Sequence, residues 1–418
     1  MKVGIIGGGA SAMILASKLE NFDVTILERN NKLGKKLLLT GNGKCNYTNL
    51  DFNDLKCKYN NDFAIKAYNK YNNLSFIDYF KELGIVPKVE IHKGVHYVYP
   101  NSNKSTSVYY CLFDKIVNNK IEILYNKLVS DVRFDGKVFN IICANKEKFK
   151  FDKIVLATGG ASYPKTGSDG IGYEIAKKLG HRIIDLVPGL TALEYSFDIK
   201  NFSLSGKCRV NATVVYNDNN DIFIESGELQ FNEDTISGIP ILNFSSKIGR
   251  KLAQNKSVEF SIDFSNVLVG ETNSSNKLEK VKSFLFERKN NTGYRDIKDF
   301  LCGYLPDEIN ELIFKKAKLN CKNISDMTER DIDILADLIT NMKIKAIYSN
   351  NFDNAQVTLG GVDVTQVNNE TLESKLIKGL YFTGEILDID GCCGGYNLQM
   401  AYSTASLVAD ALKEKIHG

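Results

Sequence analysis

Apolar residues arrive along this chain in two rhythms, and the first change of rhythm comes at once. Lys2 to Ile6 (KVGII) is a short apolar run that leads into Gly7, Gly8 and Gly9, and from Ala10 to Leu19 the apolar residues continue as a helix would carry them. Asp23 to Glu28 (DVTILE) is a second apolar run and ends in an acid. The pattern predicts strand, helix, strand. Asn60 to Leu83 is predicted largely helical, with Phe76, Ile77, Phe80 and Leu83 spaced for one apolar face. From Ile121 the period shortens. IEILYNKLVSDVRF, DGKVFNIICAN and EKFKFDKIVLATGG predict one sheet strand, a small antiparallel meander and a return strand. That return strand, Lys153 to Ala157, is apolar enough to be central in a parallel sheet. Gly170 to Gly180 predicts a short helix.

The character shifts near Pro188. Thr191 to Asn266 reads mostly as β, most clearly in SVEFSIDF, where Val258, Phe260, Ile262 and Phe264 share a face. Lys277 to Met342 reads as helices: Pro306 opens one in its first turn, and Thr328 caps another whose Ile332, Leu335, Ala336 and Ile339 form a stripe. Lys343 to Tyr348 returns to the β module. Gly379 to Gly384 is a strand ending in glycine, followed by Glu385, a glycine-rich loop and a long final helix. The expected division is one α/β domain in two parts, 1–190 and 353–418, interrupted by a β module (191–275 with 343–352) and a helical module (276–342).

Composition narrows the class. The chain has 418 residues, 43% hydrophobic and 25% charged, which is ordinary for a globular protein with two or three domains. A net charge of +3 without a long basic run gives no case for nucleic acid or anionic membrane, so neither is expected as a partner. No apolar stretch is long enough to span a bilayer, and the first apolar run belongs to the glycine turn rather than to a signal peptide, so a cytoplasmic location is expected. Nine cysteines without any C-x-x-C argue against a disulfide framework, a zinc ribbon or a dithiol centre. Cys392 and Cys393 are adjacent and read first as small loop residues. His92 and His96 lie four apart around Gly94 without an acidic ligand set, so no metal site is expected. His181, after Gly180, is expected at the C-terminus of the preceding helix.

The first glycines carry chemistry. Gly7, Gly9 and Ala12 fill the small positions of G-x-G-x-x-G/A. Gly7 allows a tight turn, Gly9 leaves room for a pyrophosphate at the backbone, and Ala12 brings the helix close to the sheet. The helix N-terminus offers unpaired N–H groups and a positive dipole end to phosphate. Glu28, about twenty residues on, is placed to accept from both ribose hydroxyls. Glycine-rich ends of predicted strands recur at Thr158 and near the C-terminus. That spread suits a ligand longer than a nicotinamide dinucleotide needs, and FAD fits: adenosine at Glu28, pyrophosphate at Gly7 to Ala12, and the isoalloxazine ring beside Gly394 and Gly395.

Several blocks together are similar to one bacterial flavoprotein family. They are GIIGGGASA, GKKLLLTGNGKCNYTN, LATGGASYPKTGSDGIGYEIAKKLGH, GELQFNEDTISGIPIL and the run from QVTLGG to STASLVAD. Across essentially its whole length the chain resembles the BaiN/YhiN-like group, which includes proteins described as aminoacetone oxidases and as reductases of unsaturated bile-acid ketones. The resemblance implies a two-dinucleotide-binding-type FAD fold, Rossmann-like α/β, with an inserted β-barrel-like domain and a small helical domain. It implies that Gly7, Gly9, Ala10, Ser11 and Ala12 contact the pyrophosphate, that Glu28 holds the ribose and that Arg29 flanks the adenine. Lys36 and the loop Thr40, Gly41, Asn42, Gly43, Lys44, Cys45 and Asn46 line the stretch toward the ring. Val129 touches the adenine through its backbone, and Thr158, Gly159 and Gly160 lie on the pyrophosphate side. Gly384 and Glu385 sit at the ribityl chain, and Gly395, Tyr396, Asn397 and Leu398 meet the N1–C2=O edge of the ring.

The chain departs from the family on possible substrate walls. A frequent F-T-H-x-G-x-S-G-P pattern is replaced after Phe231 by Asn232, Glu233, Asp234 and Thr235, and a G-R-V-F-P turn is altered around Gly94, His96, Tyr99 and Pro100. The expected function is an FAD-dependent oxidoreductase reducing an unsaturated or keto small molecule with electrons from NAD(P)H. The NAD(P)H would dock transiently, because GSDGIG at Gly167 to Gly172 has no strand leading into it. An amine or aminoketone oxidase using O₂ is the alternative, and a flavin-binding RNA-modification protein or redox sensor the alternative of another class. Tyr396, Asp388, Asp390, Thr358 and Lys44 are near-flavin candidates for acid–base work, none singled out. Asp388 and Asp390 read most simply as solvated loop carboxylates. Oligomeric state is not indicated.

Overall fold

The computed structural model describes residues 1–418 except 93, 198–206, 219–220, 255, 270–275, 293–294, 348–351 and 418. The chain forms two units, Met1–Pro188 with Asn351–Gly418, and Gly189–Asn350. In the first unit a five-stranded parallel sheet is the frame. Lys2–Ile6 lies at its centre, paired in register with Asp23–Leu27 on one side and Lys153–Leu156 on the other. Glu122–Leu124 and Leu380–Phe382 are the outer strands. Val3, Ile5, Ile26, Ile154, Val155, Leu156, Leu380, Tyr381 and Phe382 are buried, as a sheet covered on both faces requires. The helix Ala10–Lys18 packs on the final helix Tyr396–His417, so the two ends of the chain share one core. Because all five strands are parallel, the loops after them gather at one edge, where ligands of such sheets bind.

Smaller sheets flank this frame: the meander Val129–Phe134, Phe139–Cys143, Lys148–Phe151, and a three-stranded sheet in which Val95–Pro100 lies between Thr48–Asn49 and Pro87–His92. The segment from Asn60 to Leu83, expected to be largely helical, holds two helices, Asp62–Lys70 and Asn73–Glu82, because Asn61 and Asn72 each cap an N-terminus.

The second unit holds a closed six-stranded barrel in the order Leu193–Ser196, Thr235–Ser237, Asp221–Phe231, Cys208–Asp218, Val258–Asp263, Met342–Ile347. Ile239–Ala253, inside the stretch expected to be mostly β, is a helix. Its buried Ile241, Phe244, Ser245, Ile248 and Leu252 follow helical spacing, a period that strand-like neighbours obscured. Lys277–Thr292, Asp307–Ala317 and Glu329–Thr340 are helices. Thr328 and Asp331 form a reciprocal capping box, whereas Pro306 stands one place before the first helical residue, as the N-cap. Among the described residues no helix is long and apolar enough to cross a membrane.

Candidate functional site

The site is built on the edge of the parallel sheet. Gly7 has φ +98°, and a Cβ there would lie 2.6 Å from the Ala157 carbonyl oxygen, so the first turn is held against the loop after Lys153–Leu156. Gly9 differs: its φ is −77°, it caps the helix Ala10–Lys18 without a side-chain bond, and a Cβ on it would meet no atom within 4 Å. The backbone there is open while the helix N-terminus behind it presents N–H groups. Ser11 and Ala12 are buried, and Ser11 Oγ donates to the Thr383 carbonyl, 3.3 Å. A Cβ on Gly384 would lie 2.6 Å from Ser11 Oγ, so the early and late loops touch.

Glu28 is buried beside this turn. Its Oε2 accepts from Gly8 N–H at 2.7 Å, and its Oε1 accepts from the Asn30 backbone N–H and side-chain amide, both at 2.7 Å. Arg29 points to Asp169, 2.5 Å, and Asn30 donates to the Thr166 carbonyl. Lys127 N–H donates to the Glu28 carbonyl, which brings the segment leading to Val129 alongside. Lys36 Nζ pairs with Glu385 Oε2 at 2.8 Å and donates to Ser162 Oγ at 2.7 Å. Glu385 Oε1 accepts from Ser162 Oγ and from Thr358 N–H. Thr358 Oγ1 in turn accepts from the N–H groups of Ala161 and Ser162. One connected polar cluster thus ties Lys36, the Thr158–Gly160 loop's continuation and the segment after Leu380–Phe382.

Thr40 to Cys45 runs through left-handed backbone at Gly41, Asn42, Gly43 and Cys45. Gly41, Asn42 and Lys44 are exposed, Thr40, Gly43 and Asn46 half-buried. Cys45 is buried, and that burial lifts its thiol to about 12, so it is a neutral packing group. At the other end of the chain, a Cβ on Gly395 would lie 2.8 Å from the Thr48 backbone, and Asn49 Nδ2 donates to the Gly394 carbonyl. Tyr396 is buried, its hydroxyl donating to the Asp51 carbonyl, 3.0 Å. Asn397 exchanges two bonds with Gly391, accepting from its N–H at 2.9 Å and donating to its carbonyl at 2.8 Å. The side chains of Tyr396 and Asn397 therefore brace the turn. Leu398 is half-buried against the core.

The sequence-derived residues fall into two groups on this unit: Gly7–Ala12, Glu28, Lys36, Thr158–Gly160, Gly384 and Glu385 around the first turn, and Gly395–Leu398 by Thr48 and Asn49. Ser162 and Asn30 had no sequence signal of their own, since a polar residue in a loop says nothing of its partner. His181 meets the end of the preceding helix as expected, and its ring finds a further setting. Its backbone N–H closes the helix Ile171–Lys178 on the Ala176 carbonyl, but the imidazole is buried against Ser374 Oγ, 2.8 Å, and the Phe382 ring. Burial lowers its pKa, so it is a neutral core histidine. Asp388 and Asp390 are half-buried rather than solvated, Asp388 Oδ1 accepting from Asn60 Nδ2 at 3.2 Å.

The family model for the HI0933-like protein Rossmann domain matches residues 1–411. A 3-dehydro-bile acid delta(4,6)-reductase of Clostridium scindens is 32% identical over 425 residues, spanning 99% of each chain. Two ribosomal RNA dihydrouridine synthases are also similar: that of Haemophilus influenzae is 27% identical over 407 residues (96% of each chain), and that of Escherichia coli 26% over 414 (98% of this chain and 97% of the relative). A family match over nearly the whole length, on a parallel sheet that gathers its glycine turns at one edge, places this chain in the HI0933-like family of FAD-dependent oxidoreductases.

Proposed function

We propose that this chain reduces a carbon–carbon double bond conjugated to a carbonyl in a small molecule, with electrons from NAD(P)H passing through FAD. The observation that carries this reading is the 32% identity, over 99% of each chain, with a reductase named for positions 4 and 6 of a 3-dehydro bile acid. The residues present fit FAD. The open backbone at Gly9 and the N–H groups of Ala10, Ser11 and Ala12 suit a pyrophosphate. Glu28 Oε2, which takes one bond from Gly8, has capacity left for ribose hydroxyls. Arg29 and Val129 would border the adenine. Lys36, oriented by Glu385, would set a positive charge toward the middle of the molecule, with Thr40–Asn46, Thr158–Gly160 and Gly384 lining it. Bound there, FAD supplies two-electron hydride chemistry. The start of the helix Tyr396–His417, at Gly395 to Leu398, would favour negative charge at the ring through backbone N–H groups and the helix dipole.

Anaerobic mixing of the FAD-loaded protein with NADH and with NADPH tests the electron source. Rapid bleaching of the flavin by one of them is the expected result. No bleaching by either, with reduction by an amino ketone and reoxidation by O₂, would contradict it in favour of the oxidase.

A second reading has its own support: the two rRNA dihydrouridine synthases among the relatives make a uracil ring a candidate substrate. It stands second because the net charge of +3 supplies no electrostatic footprint for RNA. Binding to an rRNA fragment that weakens steeply with salt would raise it to first.

A further inference from the structure

The hairpin Pro87–His92 and Val95–Pro100 has no part in holding the cofactor as described, yet it stands between the two loops assigned to the ring. Lys88 is directly opposite Tyr99 and Glu90 opposite Tyr97, so these four share a face, while buried Val98 lies on the other. A Cβ placed on Gly394 would lie 3.1 Å from the Tyr97 ring, and one on Gly41 would lie 3.6 Å from the Tyr99 ring. The two phenols thus bridge the late glycine turn and the Thr40–Asn46 loop. They differ in availability. Tyr97 is 9% exposed and packs beside the His92 ring. Tyr99 is half-buried, and among the described residues its hydroxyl has no hydrogen-bond partner. Burial, with Glu90 and Cys393 nearby, raises the Tyr99 phenol above its ordinary value, so it stays a donor across the neutral and mildly alkaline range.

We propose that Tyr99 is a specificity-determining residue whose hydroxyl donates a hydrogen bond to the carbonyl oxygen of the substrate between the Thr40–Asn46 loop and the late glycine turn. The proposal rests on the conjugated-carbonyl reading above and deepens it. A half-buried donor without an internal acceptor favours a ligand that brings one, because leaving such a group unpaired on ligand binding costs free energy. The same bond draws electron density toward the carbonyl oxygen and so favours attack on the conjugated carbon.

The experiment compares the FAD-loaded full chain with its Tyr99→Phe variant. A 3-oxo-4,6-diene bile acid and its 3-deoxy analogue are each titrated into oxidised protein without an electron donor, with binding followed by the visible flavin band. Tyr99→Phe should weaken the 3-oxo compound about tenfold, the size of one neutral hydrogen bond. It should leave the 3-deoxy compound, FAD content and thermal midpoint unchanged. In turnover the loss should appear in both KM and kcat, because the bond both holds the ketone and favours its reduction. Equal affinities of the two proteins for the 3-oxo compound would overturn the proposal, and so would a folding or FAD-binding defect, because a partnerless hydroxyl has no structural bond to lose. A wild-type protein that neither binds nor reduces any conjugated ketone would instead refute the functional reading, and the role of Tyr99 with it.

Discussion

At the scale of single residues, Gly7 and Gly9 separate what the fold needs from what the ligand needs. Gly7 sits at φ +98° with a neighbouring carbonyl where its Cβ would be, so Gly7→Ala should destabilise the protein by on the order of 2 kcal/mol. Gly9 has ordinary backbone and open space, so Gly9→Ala should change stability by no more than about 1 kcal/mol. It should nevertheless weaken FAD at least tenfold by filling the cradle. Thermal unfolding of the apoprotein and FAD titration check both. A Gly9→Ala variant with undiminished FAD affinity would remove the pyrophosphate from this turn. The motif made both glycines legible in the sequence, but not that one serves the chain and the other its ligand. The pairing of Lys36 with Glu385 was illegible, because 349 positions separate the partners and only the sheet edge brings them together.

At the scale of elements, the final helix joins architecture to chemistry. Asn397 is half of a reciprocal pair with Gly391, so any change there disturbs the turn, and charge must be separated from bracing. Asn397→Asp keeps an acceptor for Gly391 N–H and adds a negative charge at the helix start; Asn397→Ala removes the amide without adding charge. The flavin midpoint potential of Asn397→Asp should fall below that of Asn397→Ala by on the order of 30 mV, about 1.4 kcal/mol for two electrons. Equal potentials would deny the helix start an electrostatic role. Elements of clean period were readable in advance: Ile332, Leu335, Ala336 and Ile339 are all buried on one capped helix, and Val258, Phe260 and Ile262 are buried on one strand, with Phe264 buried just past its end. Ile239–Ala253 was not, because Pro240 and Gly249 weaken its helical signal and its neighbours on both sides are strands.

At the scale of the whole molecule, the chain leaves the sheet-bearing unit after residue 188 and returns to it from residue 351. The strands on either side of the departure, Ile183–Gly189 and Val357–Val362, pair with each other. A long insertion therefore costs the parallel sheet little, and the first turn and the last helix still meet in one core. That return was legible because the glycine-rich strand ends recur late in the sequence; the closure of the inserted strands into a barrel was legible only through the family resemblance, since periodicity reports faces and not partners. The most direct test of the catalytic claim is the oxidative half-reaction. Flavin in the full-length protein is reduced under nitrogen, freed of excess reductant and mixed with one equivalent of a 3-oxo-4,6-diene bile acid. Return of the oxidised flavin spectrum, with one reduced double bond formed per flavin, is the expected result. A flavin that stays bleached with this ketone and with other conjugated ketones, yet reoxidises as soon as air is admitted, would contradict it.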